Sequence, residues 1–291
     1  MKTQLLLALL VATSLIGCGK AKDDGDDNSQ FSEAGHSLEG TINALSSISD
    51  DASDASVSSF STASASAASS FCQRPASQAC VASGANGVRA ISYSGCVIPY
   101  SVITATGDAA LTFNSNTCSL ANTGDQVNRT YDVTFEGYYG ATLRVSSESH
   151  QNYEGNTLGG GGLLTKTATG WEISVLGQHR VFKTRRGREV GNVSIRTVQP
   201  SIVTGTLTKV NRTVNSGQLE VAHNIAKVTA TYTPSNLHWE ASCCYPISGS
   251  LNVTLRGNDT RSADIAITGC GTAKITYNDG TVEDHTFRYC E

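Results

Sequence analysis

From Gly87 onward the chain alternates short runs of β-branched and aromatic residues with turn residues. Within the runs, apolar and polar positions alternate. Leu251, Val253 and Leu255 are separated by Asn252, Thr254 and Arg256, the two-residue period of a strand with one buried and one wet face. Val193, Ile195 and Thr197 repeat the pattern against Ser194, Arg196 and Val198. The alternation predicts strands at 87–93, 97–105, 109–114, 127–138, 141–147, 171–176, 179–184, 190–198, 201–210, 217–222, 225–233, 248–255, 262–268, 272–277 and 281–289. No helix-length apolar period follows residue 71, and the chain holds one Met and five Pro. The expected fold is all-β and antiparallel. A long meander (127–233) predicts a curved sheet or partly closed barrel. A smaller disulfide-closed β unit, built from 72–118 and 243–290, packs beside it. A two-sheet β-sandwich is the alternative.

Three turns are legible: Thr106-Gly107-Asp108, Arg186-Gly187-Arg188 and Asn278-Asp279-Gly280, the last a strong hairpin signal. They bear on the cysteines. Apart from Cys18, eight are present: Cys72, Cys80, Cys96, Cys118, Cys243, Cys244, Cys270 and Cys290. An even number predicts, for a chain in an oxidising compartment, a disulfide framework of up to four bonds. Cys96 and Cys118 flank the first turn nearly symmetrically, as Cys270 and Cys290 flank the third, so each pair is expected across its hairpin. Cys72 and Cys80 are then expected to pair with Cys243 and Cys244, clipping the start of the domain to its C-terminal part.

The first quarter of the chain has a different texture. From Ser46 to Ser70, 12 of 25 residues are Ser and six are Ala. Residues 19–70 carry nine Asp or Glu against Lys20 and Lys22, while residues 71–291 carry 18 Lys or Arg against 16 Asp or Glu. Such a composition in 19–70 cannot bury enough apolar surface to offset ordering entropy. It reads as a stalk, about 40 Å in root-mean-square span as a flexible coil. Leu38, Ile42, Leu45 and Ile48 have helical spacing, weakened by Gly40. Neither charge balance suits nucleic acid, which needs a clustered basic face.

At the N-terminus, Lys2 precedes an apolar run from Leu5 to Ile16 that ends in Leu15-Ile16-Gly17-Cys18. The run is too short to span a bilayer as a helix. It resembles the leader of bacterial lipoproteins. The resemblance implies a signal peptide over 1–17, cleavage before Cys18 and acylation of that cysteine, commonly with palmitate-type chains. Gly19, where Asp would direct otherwise in enterobacteria, implies the outer membrane. The expected domains are 1–17 signal peptide, 18–70 lipidated cysteine and stalk, and 71–291 disulfide-bearing β domain. Cys243-Cys244-Tyr245-Pro246-Ile247-Ser248-Gly249-Ser250, with Gly269-Cys270-Gly271-Thr272-Ala273, resembles uncharacterised secreted lipoproteins of Gram-negative bacteria, and brings no activity with it.

Candidate chemistry is sparse. His238 near Cys243 and Cys244 fits no standard zinc spacing, and disulfide use of those cysteines is the stronger reading. Gly159 to Gly162 lacks the Gly-Lys-Ser or Gly-Lys-Thr of a phosphate loop and reads as a flexible loop. No Gly-x-Ser-x-Gly elbow occurs. Arg180, Lys183, Arg185, Arg186 and Arg188 form the one basic cluster, either a solvated hairpin tip or a contact for an anionic polymer or lipid headgroup. Tyr131, Phe135, Tyr138, Tyr139, Tyr153 and Trp171 are dense in 131–171 and read as packing first, ligand groove second. No cofactor, metal or catalytic residue is expected. Three functions rank in order: a non-catalytic envelope or surface interaction module, held to the membrane by its anchor and binding a protein, glycan or lipid; a carrier of a lipid or small apolar ligand inside the meander; and a hydrolase with a site assembled from distant residues.

Overall fold

The computed structural model describes residues 79–97, 104–137, 139–206, 211–243 and 245–286, with backbone alone at 94–97. The leader, Cys18, the stalk, Cys72, Tyr138, Cys244 and Cys290 lie outside these residues.

All secondary structure here is β, and every pairing is antiparallel. The strands are β1 (Val81–Ser83), β2 (Asn86–Val97), β3 (Thr104–Phe113), β4 (Gln126–Glu136), β5 (Thr142–Ser146), β6 (His150–Gln151), β7 (Thr157–Leu158), β8 (Gly161–Lys166), β9 (Trp171–Lys183), β10 (Glu189–Gly205), β11 (Arg212–His223), β12 (Val228–Trp239), β13 (Ser248–Gly257), β14 (Ser262–Gly269), β15 (Thr272–Tyr277) and β16 (Val282–Thr286). Fourteen belong to one sheet, in the order β1-β2-β3-β4-β5-β9-β10-β11-β12-β13-β14-β15-β16, with β8 bonded to β4 and β9. β6 and β7 form a separate ribbon. The predicted meander is therefore real but longer: it runs through both expected segments of the smaller unit, which is not a separate body.

One face of the sheet carries the core. Alternation puts Leu251, Val253, Leu255, Ala263, Ile265, Ala273 and Ile275 inward, in one buried cluster with Phe113, Leu164, Ile173, Leu219 and Tyr232. A single sheet can bury that face only by curving around it, and the polar period-2 partners stay outside.

Several expectations change. Thr106-Gly107-Asp108 is not a turn, because β3 runs straight through it, Gly107 pairing with Tyr93 and Val133. Gly107 has φ +129°, and a β-carbon there would run into the Asp132 carbonyl, so glycine serves close strand approach. The Arg186-Gly187-Arg188 and Asn278-Asp279-Gly280 turns form as predicted, closed by Gly187 N–H to Thr184 O and Gly280 N–H to Tyr277 O, 2.8 and 2.9 Å. Residues 171–176 and 179–184 are one strand, as are 190–198 and 201–205, joined through bulges.

The disulfides follow the strand register. Because β2 and β3 pair out to Val97↔Thr104, Cys96 lies opposite Ala105, at the far end of the hairpin from Cys118. Cys118 instead bonds Cys80, Cα–Cα 5.9 Å. Cys270, in the tight β14–β15 turn, bonds Cys243 at 5.8 Å, so it is not held to Cys290, nor does Cys80 reach Cys243. Each bond staples one end of the strand order locally. With sequence separations of 38 and 27, each contributes about 3.5–4 kcal/mol in the chain-entropy account.

Candidate functional site

The slot between β4 and β9 is filled by two segments in line. β5 pairs with the second half of β4 (Asp132↔Ser146 to Glu136↔Thr142) and β8 with the first half (Gln126↔Thr165 to Arg129↔Gly162). Residues 147–160 leave the sheet between them. At the neck, Tyr131 N–H donates to Ser147 Oγ at 2.8 Å and Gly160 N–H to Ser147 O at 2.9 Å. The Gly159–Gly162 stretch, expected to be a flexible loop, is the returning neck and the start of β8. A β-carbon at Gly177 would strike Gly159 N, and one at Gly161 the Arg129 carbonyl, so the close crossing explains the glycines.

The excursion lies across the outer face. His150 Nε2 meets Ser194 Oγ at 3.0 Å while its Nδ1 meets Glu148 O at 3.0 Å. Its ring stacks on His179, centroids 4.2 Å apart. Asn224 Nδ2 donates to Ser194 Oγ and to Asn192 Oδ1, and Asn192 Oδ1 also meets His179 Nε2 at 2.9 Å. Further along, Glu154 takes a two-pronged bond from Arg256, 2.9 and 3.0 Å, whose third nitrogen reaches Glu220 at 2.6 Å. Arg196 closes the chain on Glu220 at 2.8 Å. Burial pushes Glu220 upward, but hydrogen bonds from Arg256 and then Arg196 outweigh it and its pKa is lowered. Arg256 likewise holds Glu154 low. Burial lowers His150, with His179 adding in the same direction against the Glu148 carbonyl. Ser194 and His150 have the spacing of a nucleophile and its base, yet Ser194 is 1% exposed and its Oγ is engaged by Asn224. As it stands, the arrangement fastens the excursion to the sheet.

The core face differs between its two ends. One row of paired residues runs Gly87, Phe113, Val127, Leu164, Ile173, all buried. Another, toward the opposite end, runs Tyr93, Gly107, Val133, Val145, Arg180, Val193, His223, Val228. Apart from buried Val133 these are half-buried, as are neighbouring Phe135 and Phe182. Here β3 presents Ala105, Gly107 and Ala109 inward, so three consecutive inward positions carry no more than a methyl. Ala105 and Ala109 are covered, in a second, smaller buried cluster with Tyr131 and Val133 against which Ile91, Tyr93, Phe135 and Val145 pack, so the interior is deeply filled at one end and more thinly covered at the other.

The basic cluster divides at this open end. Arg180 points into the core face. Lys183, Arg185, Arg186 and Arg188 are exposed around the 184–188 turn, above the opening. The turn at Gly140 abuts Arg185, an ideal β-carbon there lying 3.5 Å from Arg185 Cγ, which sets Tyr139, 76% exposed, beside the basic rim. The dense aromatics split too: Tyr131 and Trp171 are buried, Phe135 borders the opening, and Tyr153 lies on the outer face. The sequence offered no signal for the outer-face network, whose members come from β9, β10, β11, β13, the turn at Asn224 and the excursion. Comparison with known protein families, curated proteins and solved structures finds no match.

Proposed function

We propose that this chain is an extracytoplasmic lipoprotein of a bacterial envelope, outer-membrane anchored through acylated Cys18, and a non-catalytic module that binds an anionic partner through its basic rim. The observation that carries the reading is the exposure of Lys183, Arg185, Arg186 and Arg188 together with Tyr139 at one end of a domain whose other end is solidly packed. Four cations and an aromatic on adjoining turns suit a phosphate-bearing or acidic surface. The covered position of Ser194 and the mutual pairing of Glu154, Glu220, Arg196 and Arg256 support a binding rather than a hydrolytic role. A stalk of 19–70 would hold this rim clear of the anchoring membrane.

Vesicles of phosphatidylglycerol and phosphatidylcholine test the rim. Arg185→Gln, Arg186→Gln and Arg188→Gln together should weaken salt-sensitive binding by about 3 kcal/mol, at about 1 kcal/mol per charge, with no change on neutral vesicles. Unchanged binding removes the rim from the account. Detergent partitioning of Cys18→Ala tests the anchor, and retention in the detergent phase would refute it. A second reading, a carrier of a small apolar ligand, is favoured by the more thinly covered end of the core face.

A further inference from the structure

We infer that the acidic run Asp23-Asp24-Gly25-Asp26-Asp27 docks on the basic rim of its own chain, so that the rim rests closed and an external anionic partner must displace it. The inference rests on the rim being the binding surface and adds the regulation of that surface.

The rim holds positive charge in excess. Lys183, Arg185, Arg186 and Arg188 are exposed around the 184–188 turn, and among the described residues none of the four takes part in an ion pair. The arginines of the outer face differ: Arg144 is paired with Asp132, Arg196 and Arg256 with Glu220, and Arg261 with Asp259. Two acids border the rim. Glu189 accepts from Asn192 Nδ2 at 2.8 Å, and Glu136 lies beyond Thr142, the residue that pairs with Lys183. Neither carries the four cations. The balancing charge is on the same chain: residues 19–70 hold nine Asp or Glu against two Lys, and no five-residue window but 23–27 holds four carboxylates. Four acids in five residues match four cations in six.

The reach fits as well. Cys80, bonded to Cys118, enters the sheet at the packed end, its Sγ 3.0 Å from where a β-carbon on Gly87 would lie. Gly87 shares a row with Ile173, and Lys183 ends the same strand as Ile173, at the opposite end of the domain. Strand rise and strand spacing put the entry point and the rim about 30–40 Å apart. By composition, the chain between Asp27 and Cys80 is a coil that spans about 40 Å root-mean-square. A tether concentrates its end most where its span matches the separation. Exposed ion pairs contribute little singly, so a dock of this kind is reversible, sensitive to salt and open to competition. The closed state draws the rim toward Cys18, and partner binding frees it to the full reach of the stalk.

The test is carbodiimide coupling of the full chain purified in detergent, with the joined fragments mapped by mass. The reagent links a carboxylate to a lysine amine where the two meet, and Lys183 stands among the rim arginines. Coupling of 23–27 to Lys183 is expected to exceed coupling to the exposed Lys227 and Lys274 by about tenfold. It should fall to their level in the chain carrying Arg185→Gln, Arg186→Gln and Arg188→Gln, and at about 1 M salt, where charges are screened within about 3 Å. Equal coupling to the three lysines overturns the inference, and coupling found only between two chains overturns its assignment to one chain. Vesicle binding gives a second readout. Asp23→Asn, Asp24→Asn, Asp26→Asn and Asp27→Asn together should tighten binding to phosphatidylglycerol vesicles by about three- to tenfold, as removal of a tethered competitor does, with no gain when the rim variants are also present. An equal gain in the rim variants would mean plain repulsion between stalk and vesicle, and overturns the dock. Rim variants that bind vesicles as tightly as the natural chain would remove the binding reading itself, whereas rim-dependent binding without coupling at Lys183 would remove only the closed state.

Discussion

Gly87 shows how one atom decides a residue. The backbone at Gly87 is ordinary strand, yet an added β-carbon would sit 2.6 Å from Cys118 Sγ, 2.6 Å from Ser115 O and 3.0 Å from Cys80 Sγ. Gly87→Ala should therefore destabilise by about 1–3 kcal/mol through overpacking or open the Cys80–Cys118 bond, whereas Gly137→Ala, with its nearest neighbour at 3.8 Å, should be nearly neutral. Urea midpoints and thiol counts by mass check both. Glu220 is a second case. It is 13% exposed and bridges two arginines, so Glu220→Gln should cost about 1–3 kcal/mol, lowering the melting temperature by roughly 2–4 °C per kcal/mol. An unchanged melting curve would show the bridge to be energetically idle. Neither role is visible in the sequence: Gly87 is one of 28 glycines, and Glu220 meets Arg256 only because β11, β12 and β13 align in register.

At the scale of elements, the excursion at 147–160 is held by polar contacts, and its hold depends on pH. His150 has a lowered pKa, so the unfolded or undocked state binds more protons below the ordinary value of 6.5. Its contribution is present above about pH 6.5 and is lost as pH falls. Glu154 and Glu220 are also lowered, but their contribution is lost only as pH falls below the ordinary 4.5. Between pH 7.5 and 5.5 the histidine acts alone of the three. Amides of 150–158, corrected for intrinsic rates, should exchange faster at pH 5.5, and His150→Gln should flatten the difference. Equal protection at both pH values would count against this coupling. The strands were largely legible, because period-2 alternation is local. β8 was missed because Gly161 and Gly162 carry no pattern, and it is a strand only between β4 and β9.

For the whole molecule, two local disulfides secure the two ends of one long sheet. Cys243→Ser should cost about 3.5 kcal/mol, read as a shift of the urea midpoint at constant slope. A cost near zero would mean that the β14–β15 end holds without its staple. The pairings expected from symmetry about Thr106-Gly107-Asp108 failed for a definite reason. The turn was placed by residue type, but the register of β2 with β3 moved the hairpin's centre into 98–103 and carried Cys96 away from Cys118. The same register places Arg180 on the core face while Lys183, Arg185, Arg186 and Arg188 stay exposed around the 184–188 turn, so one basic cluster in sequence is divided between two faces in space.

The sequence by itself determined the class of fold: alternation, β-branched runs and two of three turns dictate an antiparallel sheet, since these depend on neighbours within a few residues. Only the tertiary structure decided which cysteines meet, that 147–160 leaves one strand and lies across five others, and which arginines face the core and which the rim. Those outcomes depend on register between strands far apart in the chain, where a shift of one residue exchanges the inner and outer faces.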